Sequence, residues 1–207
     1  MADSFVHLHV HTEYSMLDGA ARLKDLFAGC ERMDMPALAM TDHGNLYGAY
    51  DFAGKAKAAG IKPIIGTEAY IAPGSRFEKK LPDGGNAKTD KYSHMTLWSE
   101  NQEGYQNLIQ LSSLASLEGY YYKPRMDREL LARHAKGIIA TTGCPGGEVS
   151  QALERGDYAL AKRTAGEYGE IFGKGNFFVE LMQHGIGIEK RTFPDLVKIA
   201  KELNLPL

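Results

Sequence analysis

A chain of 207 residues that is 43% hydrophobic and 24% charged is long enough to bury a core as one domain, and this composition excludes a disordered or fibrous protein. Its formal net charge of −2 gives no overall basic field, so any contact with nucleic acid must come from a local patch. No apolar run approaches the roughly 20 residues of a membrane span, no charged-then-apolar signal region opens the chain, and two cysteines suit a reducing cytoplasm better than a disulfide framework.

The first expected strand is FVHLHVH, residues 5–11, where His7, His9 and His11 alternate with Val6, Leu8 and Val10. A period of two puts the three imidazoles on one face. Such an edge suits a metal, because neutral imidazole is the commonest protein ligand for zinc-like ions, although a single His-x-His pair is equally explained by a polar strand face. A helical pattern over 20–34 makes Cys30 a small core residue. ALAMTD (37–42) reads as the second strand and runs out into TDHGN, with Asp42 and His43. After a helix at 47–59, the strand KPIIGTEAYI (62–71) carries Glu68.

The segment 72–92 is rich in Gly and Pro and reads as a long loop. Its Arg76, Lys79, Lys80, Lys88 and Lys91 alternate with Glu78, Asp83 and Asp90, which suits either a mobile, soluble loop or contacts to nucleic acid. The strand HMTLWSE (94–100) opens with His94, and a helix covers 101–117. Next, EGYYYKPRMDREL (118–130) interleaves Tyr120, Tyr121 and Tyr122 with Lys123, Arg125 and Arg128. Stacking platforms with cations hold single-stranded nucleic acid without base specificity, and Lys123 and Arg125 are the candidate phosphate contacts. The alternative is a helix-to-loop junction whose rings pack and whose charges are solvated. A helix at 127–135 carries a solvent-facing His134. The strand GIIATTG (137–143) leads to Cys144, a helix spans 147–172, and NFFVELM (176–182) supplies Glu180. His184, just past that strand, reaches substrate or simply occupies a turn. A last helix covers 187–203.

Six strands alternating with helices argue for a parallel α/β architecture in one domain, 1–207. In parallel barrels function collects at the carboxyl ends of strands, and here strand after strand ends in His, Asp, Glu or Cys. His94 fits least, since it starts its strand; an antiparallel strand would account for it. These donors are too many for one tetrahedral zinc, so a multinuclear site is expected, with a metal-bound water as the nucleophile of a phosphoryl displacement. Mixed imidazole, carboxylate and thiolate favours Zn²⁺ or a related ion over Mg²⁺. Asp42 is expected to orient a ligand or cap a turn.

HVHTEYSMLDG, TDHGNLYG, GIKPIIGTEAYI and TTGCPGGE resemble the successive motifs of the PHP (polymerase and histidinol phosphatase) domain family, in the branch that opens bacterial replicative DNA polymerases, over Phe5 to Leu207. The resemblance implies a distorted (β/α)7 barrel with a trinuclear centre of nine ligands. Seven carry over by motif: His9, His11, Asp18, His43, Glu68, His94 and Cys144. It implies that His9, His11 and Glu68 hold one divalent ion, Zn²⁺ or Mn²⁺. Glu68 would bridge to a second held by His94 and Cys144, and Asp18 and His43 would hold the third. The other two ligands, an Asp and a His two residues apart, belong to a seventh strand that would begin where ELNLPL closes this sequence. The chain is therefore read as an N-terminal fragment of a longer polymerase subunit, with six of seven strands.

The activity implied is a metal-dependent 3′→5′ proofreading exonuclease acting on a single-stranded or frayed DNA 3′ end, beside the remaining polymerase domains and replisome subunits. Two alternatives stand against it. One is a catalytically silent scaffold that stabilises the polymerase. The other is a small-molecule phosphatase of the histidinol-phosphate type, against which the basic-aromatic stretch and the polymerase-type strings count.

Overall fold

The computed structural model describes residues 5–16, 18–79 and 91–207. The expectations placed on Lys80, Asp83, Lys88 and Asp90 lie outside them. Six strands form one sheet: β1 (Ala37–His43), β2 (Lys62–Ile71), β3 (Ser93–Ser99), β4 (Arg125–Met126), β5 (Ile138–Thr141) and β6 (Phe177–Phe178). Among the described residues seven α-helices accompany it: α1 (Leu23–Arg32), α2 (Ala49–Ala58), α3 (Gln102–Leu117), α4 (Arg128–Arg133), α5 (Glu148–Glu154), α6 (Tyr158–Phe172) and α7 (Gly187–Leu203). None of the described helices is long and apolar enough to cross a membrane.

The order is β1-β2-β3-β5-β6, with β4 also on β2. β1 with β2, β2 with β4, and β5 with β6 are parallel, but β3 is antiparallel to both β2 and β5. The parallel sheet expected from the alternation is thus a mixed one, with the antiparallel strand that the place of His94 had allowed for. The consequence for function is direct: the start of β3 lies beside the carboxyl end of β2, so His94 comes to the same end of the sheet as Glu68.

Two apolar clusters hold the layers together. In the larger, Leu97, Leu108, Leu111, Ile138, Phe177 and Ile199 are fully buried where α3 to α7 pack on β3, β5 and β6. The smaller joins α1 and α2 to β1 through Leu23, Phe27, Leu38, Met40 and Phe52. β1 is apolar through most of its length because it is covered on both faces, which period-two alternation cannot reveal. Asn101, Asp127 and Asp157 cap α3, α4 and α6 by accepting the backbone N–H of Gly104, Leu130 and Leu160. The single helix expected over 147–172 is two, because Gly156 adopts φ +78° after α5 and Asp157 restarts the helix as a cap.

Residues 5–11 form no strand, and the chain bends at His9. His7 O accepts the Ala39 N–H (3.0 Å) and Val10 O accepts the Thr41 N–H (2.9 Å), so three steps on this segment answer two on β1. Side chains fill the gaps: Val10 N–H donates to Thr41 Oγ1 (2.8 Å), and the Trp98 indole donates to Leu8 O (2.9 Å). Extra residues and side-chain partners replace the ladder, as in a bulge. His7 is left exposed against the Phe5 ring, while His9 and His11 turn inward. The last expected strand also shrinks to Phe177–Phe178; beyond it, Val179 N–H donates to Pro206 O (2.8 Å) and Glu180 N–H to Thr142 Oγ1 (3.0 Å). The pairings run as an open path from β1 to β6 among the described residues.

Candidate metal centre

Glu68 lies on β2 with its side chain 1% exposed, opposite His43 on β1 and Thr96 on β3. A buried carboxylate is costly unless it is paired. Around its Oε2 stand His9 Nε2 at 3.1 Å, His11 Nε2 at 2.9 Å and His43 Nδ1 at 3.3 Å. Its Oε1 meets His94 Nδ1 and, at 3.3 Å, the Cys144 thiol. Four imidazoles and a thiol therefore converge on one carboxylate. Asp18 extends the set, its Oδ2 lying 3.0 Å from His43 Nε2.

The electrostatics follow from this crowding. Burial would raise the Glu68 pKa, but bonds from His11, His9 and His94 hold it far below the usual carboxylate range. Burial would lower that of His9, but Glu180 and Glu68 reverse the effect and raise it to about 9. His43 is lowered, first by burial. The Cys144 thiol is pushed up by burial and by the Glu68 charge, against the Gly146 N–H that donates to its sulfur at 3.3 Å.

Five of these donors fall into two groups whose ligating atoms lie within 4.8 Å of one another, His9, His11 and Glu68, and Glu68, His94 and Cys144; Asp18 and His43 belong to neither. Two buried nitrogens in this region, His11 Nδ1 and His43 Nδ1, have no hydrogen-bond partner among the described residues; His43 Nδ1 is near Glu68 but out of line for a bond. Such orphans are rare in a folded protein. Imidazole, carboxylate and potential thiolate around unpaired nitrogens fit a divalent transition-metal ion. A nearby cation would reverse the directions for His9 and Cys144, favouring neutral imidazole and thiolate, and reinforce those for Glu68 and His43.

The surroundings are built to hold these groups still. Asp42 is fully buried; its Oδ1 accepts the Thr12 N–H (2.6 Å) and the Ser15 hydroxyl (2.8 Å), and its Oδ2 the Thr12 hydroxyl (2.8 Å). It thereby ties the turn between His11 and Asp18, and Ser15 Oγ in turn accepts the His43 N–H (3.2 Å). Gly44 follows His43 at φ +62°, and a Cβ there would meet the Tyr70 ring at 2.7 Å. Tyr70 and Tyr92 wall the side next to His94, their rings centred 5.3 and 6.0 Å from its imidazole. Sequence reasoning gave Tyr70, Tyr92 and Thr96 no role, and it counted Glu180 among the ligand-type residues without one. Glu180 Oε1 is 2.7 Å from His9 Nδ1.

The other substrate candidates separate. Lys123 Nζ sits 5.3 Å from the centre of the Tyr70 ring, at the edge of the cluster. Arg125 does not: it is 2% exposed, and its guanidinium donates to Gly119 O (3.1 Å), Lys91 O (3.1 Å) and Glu78 O (2.6 Å). The assignment of Arg125 to phosphate binding is therefore corrected; its donors close backbone carbonyls. Arg76 is likewise buried, bonded to Asp127, Glu118 and Glu129. Arg128 pairs with Glu148 and Glu167. Tyr120 and Tyr122 are exposed, the latter with Lys91 Nζ 3.4 Å over its ring. His184 Nδ1 lies 2.8 Å from Glu189, which also accepts its N–H, as a turn histidine would. His134 is half-buried against Asn107, where a solvent-facing position was expected.

The profile of the PHP domain family matches residues 7–184. The chain is 56% identical over 218 residues to the DNA polymerase III subunit alpha of Saccharopolyspora erythraea, covering 98% of this chain and 18% of that protein. It is 52% identical over 212 residues to the DNA polymerase III subunit alpha of Mycobacterium leprae, with the same coverage. The chain thus spans less than a fifth of the length of these relatives. Its fold is similar to that of a Bifidobacterium adolescentis protein provisionally named a metal-dependent phosphoesterase, with TM-score 0.55, 14% identity, and 98% of this chain and 85% of that one covered.

Proposed function

The chain belongs to the PHP domain family, and from that membership and the donors around Glu68 we propose that it is the PHP domain of a DNA polymerase III alpha subunit, hydrolysing phosphodiesters at DNA 3′ ends as a proofreading exonuclease. The observation that carries the hydrolytic reading is the convergence of His9, His11, His43, His94 and Cys144 on one buried carboxylate, with two imidazole nitrogens left unpaired. Up to three divalent ions, of zinc or manganese type, would be held: by His9, His11 and Glu68; by Glu68, His94 and Cys144; and by Asp18 with His43. Such ions, when bound, neutralise the scissile phosphate and activate the attacking water. The same membership carries the expectation of a seventh strand closing a barrel and adding an Asp and a His.

The protein's own residues do the rest. Asp42, through Thr12 and Ser15, keeps His11, Asp18 and His43 in register. Lys123 supplies a cation and Tyr92 a half-buried ring stacked on His94, while Tyr70, 4% exposed, only backs them; a ring beside a cation suits a nucleotide with its phosphate better than a small phosphomonoester. His184 remains a proposed substrate contact just past β6, beside its bonds to Glu189. Partners on this reading are the other polymerase domains and replisome subunits, and the compartment is the cytoplasm.

The test is 3′ trimming of a mismatched primer beside hydrolysis of a small phosphomonoester, with metal supplied, in the polymerase subunit that contains this chain. Asp18→Asn and His43→Ala are expected to abolish metal-dependent trimming. Unchanged trimming in either sinks the exonuclease reading, and activity confined to the phosphomonoester favours the phosphatase.

Lys123 and Arg125 separate binding from folding. Lys123→Ala is expected to leave the melting temperature unchanged and to lower the salt dependence of single-stranded DNA binding by about 0.7 in the log–log slope. Arg125→Met is expected to cost about 3 kcal/mol of stability through unpaired carbonyls, with DNA affinity of the folded chain retained. The reverse pattern would return Arg125 to the phosphate contacts.

A further inference from the structure

Glu180 belongs to neither donor group but touches a member of one. It follows β6 with its side chain 12% exposed, and its Oε1 lies 2.7 Å from His9 Nδ1. Its Oε2 accepts the Thr96 hydroxyl at 3.1 Å and the Thr141 hydroxyl, while its own N–H donates to Thr142 Oγ1 at 3.0 Å. Thr96 is on β3 and Thr141 on β5, so two strands and the local backbone fix this carboxylate. Thr96 Oγ1 also stands 3.3 Å from His9 Nδ1.

A neutral imidazole has one N–H and one lone pair. His9 faces a carboxylate at each nitrogen, Glu180 at Nδ1 and Glu68 at Nε2. If the proton sits on Nε2, it donates to Glu68 and His9 is lost as a donor toward the point it shares with His11. If it sits on Nδ1, Glu180 takes it and the Nε2 lone pair is free. Glu180 is closer than Glu68 by 0.4 Å (2.7 against 3.1 Å), and two threonine hydroxyls on its Oε2 leave Oε1 facing His9. His11 Nδ1 and His43 Nδ1 have no such partner among the described residues.

Resting on the metal-centre reading above, we propose that Glu180 is a positioning residue that locks His9 as the Nδ1–H tautomer and so sets the affinity of the ion held by His9, His11 and Glu68. It binds no ion itself. It acts by fixing which nitrogen of His9 is offered and the plane in which the ring lies.

The test measures Zn²⁺ affinities by chelator competition for the wild-type, Glu180→Ala and Glu180→Gln chains, with ¹⁵N spectra of the histidines in the zinc-loaded state. Glu180→Ala is expected to weaken one ion about 10- to 100-fold and to disperse the single Nδ1–H signal of His9. The cobalt–thiolate absorption that reports His94 and Cys144 is expected to stay. Glu180→Gln still presents an oxygen to Nδ1–H and is expected to recover the tautomer and part of the affinity. Wild-type protein that binds Zn²⁺ beside an alanine variant with the same affinities and the same His9 spectrum overturns the role of Glu180 alone. Wild-type protein that binds no Zn²⁺ overturns the metal centre, and this role with it. Should the alanine variant not fold, Glu180→Leu, which fills the space but offers Nδ1–H no acceptor, decides: weakening of the same ion supports the lock, and unchanged affinity overturns it.

Discussion

Replacing Glu68 by glutamine is expected to remove two bound ions at once, whereas replacing Cys144 by serine is expected to weaken only one. Glu68 is the only residue shared by the two donor groups, and it is also the group onto which four histidines converge. An amide of the same shape cannot neutralise two cations, and its NH₂ would face histidine nitrogens. Losing transition-state charge stabilisation worth several kcal/mol corresponds to a fall in phosphodiester hydrolysis of about a thousandfold or more. Elemental analysis of metals per chain, beside the trimming rate, checks both parts. If the glutamine variant keeps the wild-type metal count, the bridging arrangement is wrong even where activity falls.

The ligand-type residues were legible because each stands in a short string with a chemical reason for its spacing. His9 and His11 share a face at period two, Asp42 and His43 end β1, and Glu68 lies within β2. What period and composition could not supply was direction. Nothing in HMTLWSE says that β3 runs against β2, and that reversal is what delivers His94 to Glu68. Nor could they show that residues 5–11 would exchange a ladder for bonds from Thr41 and Trp98, since those partners are 31 and 90 residues away. Arg125 misled for a related reason: a Lys-Pro-Arg string among tyrosines reads as a basic surface, yet three carbonyls, two of them 34 and 47 residues away, draw its guanidinium inside. Glu180 was visible as a carboxylate after a strand, but its partner His9 is 171 positions away and only the fold pairs them.

The metal-free chain is expected to lose stability as the pH rises from about 6 to about 10, by about 3 kcal/mol. His9 is raised from 6.5 to about 9 in the fold, where Glu180 faces Nδ1 and Glu68 faces Nε2. A raised pKa means that the folded state holds the proton more tightly than the unfolded one. Its contribution is complete below 6.5 and is lost as the pH climbs through 9. Glu68 works from the other side, being depressed, so its contribution is present above the unfolded carboxylate range and is lost only in strong acid. His43, lowered by burial, trims stability below about 6.5 and cannot produce the alkaline loss. Saturating zinc is expected to reverse the slope, because a cation binds His9 only as the neutral ring and its affinity grows as that proton leaves. Urea unfolding across the pH range, with chelator and then with excess zinc, checks both slopes. His9→Gln is expected to flatten the chelated profile between about pH 6.5 and 9, below the range where the raised Cys144 thiol adds its own loss, and a wild-type profile already flat there would show that His9 carries no proton shared between the two carboxylates.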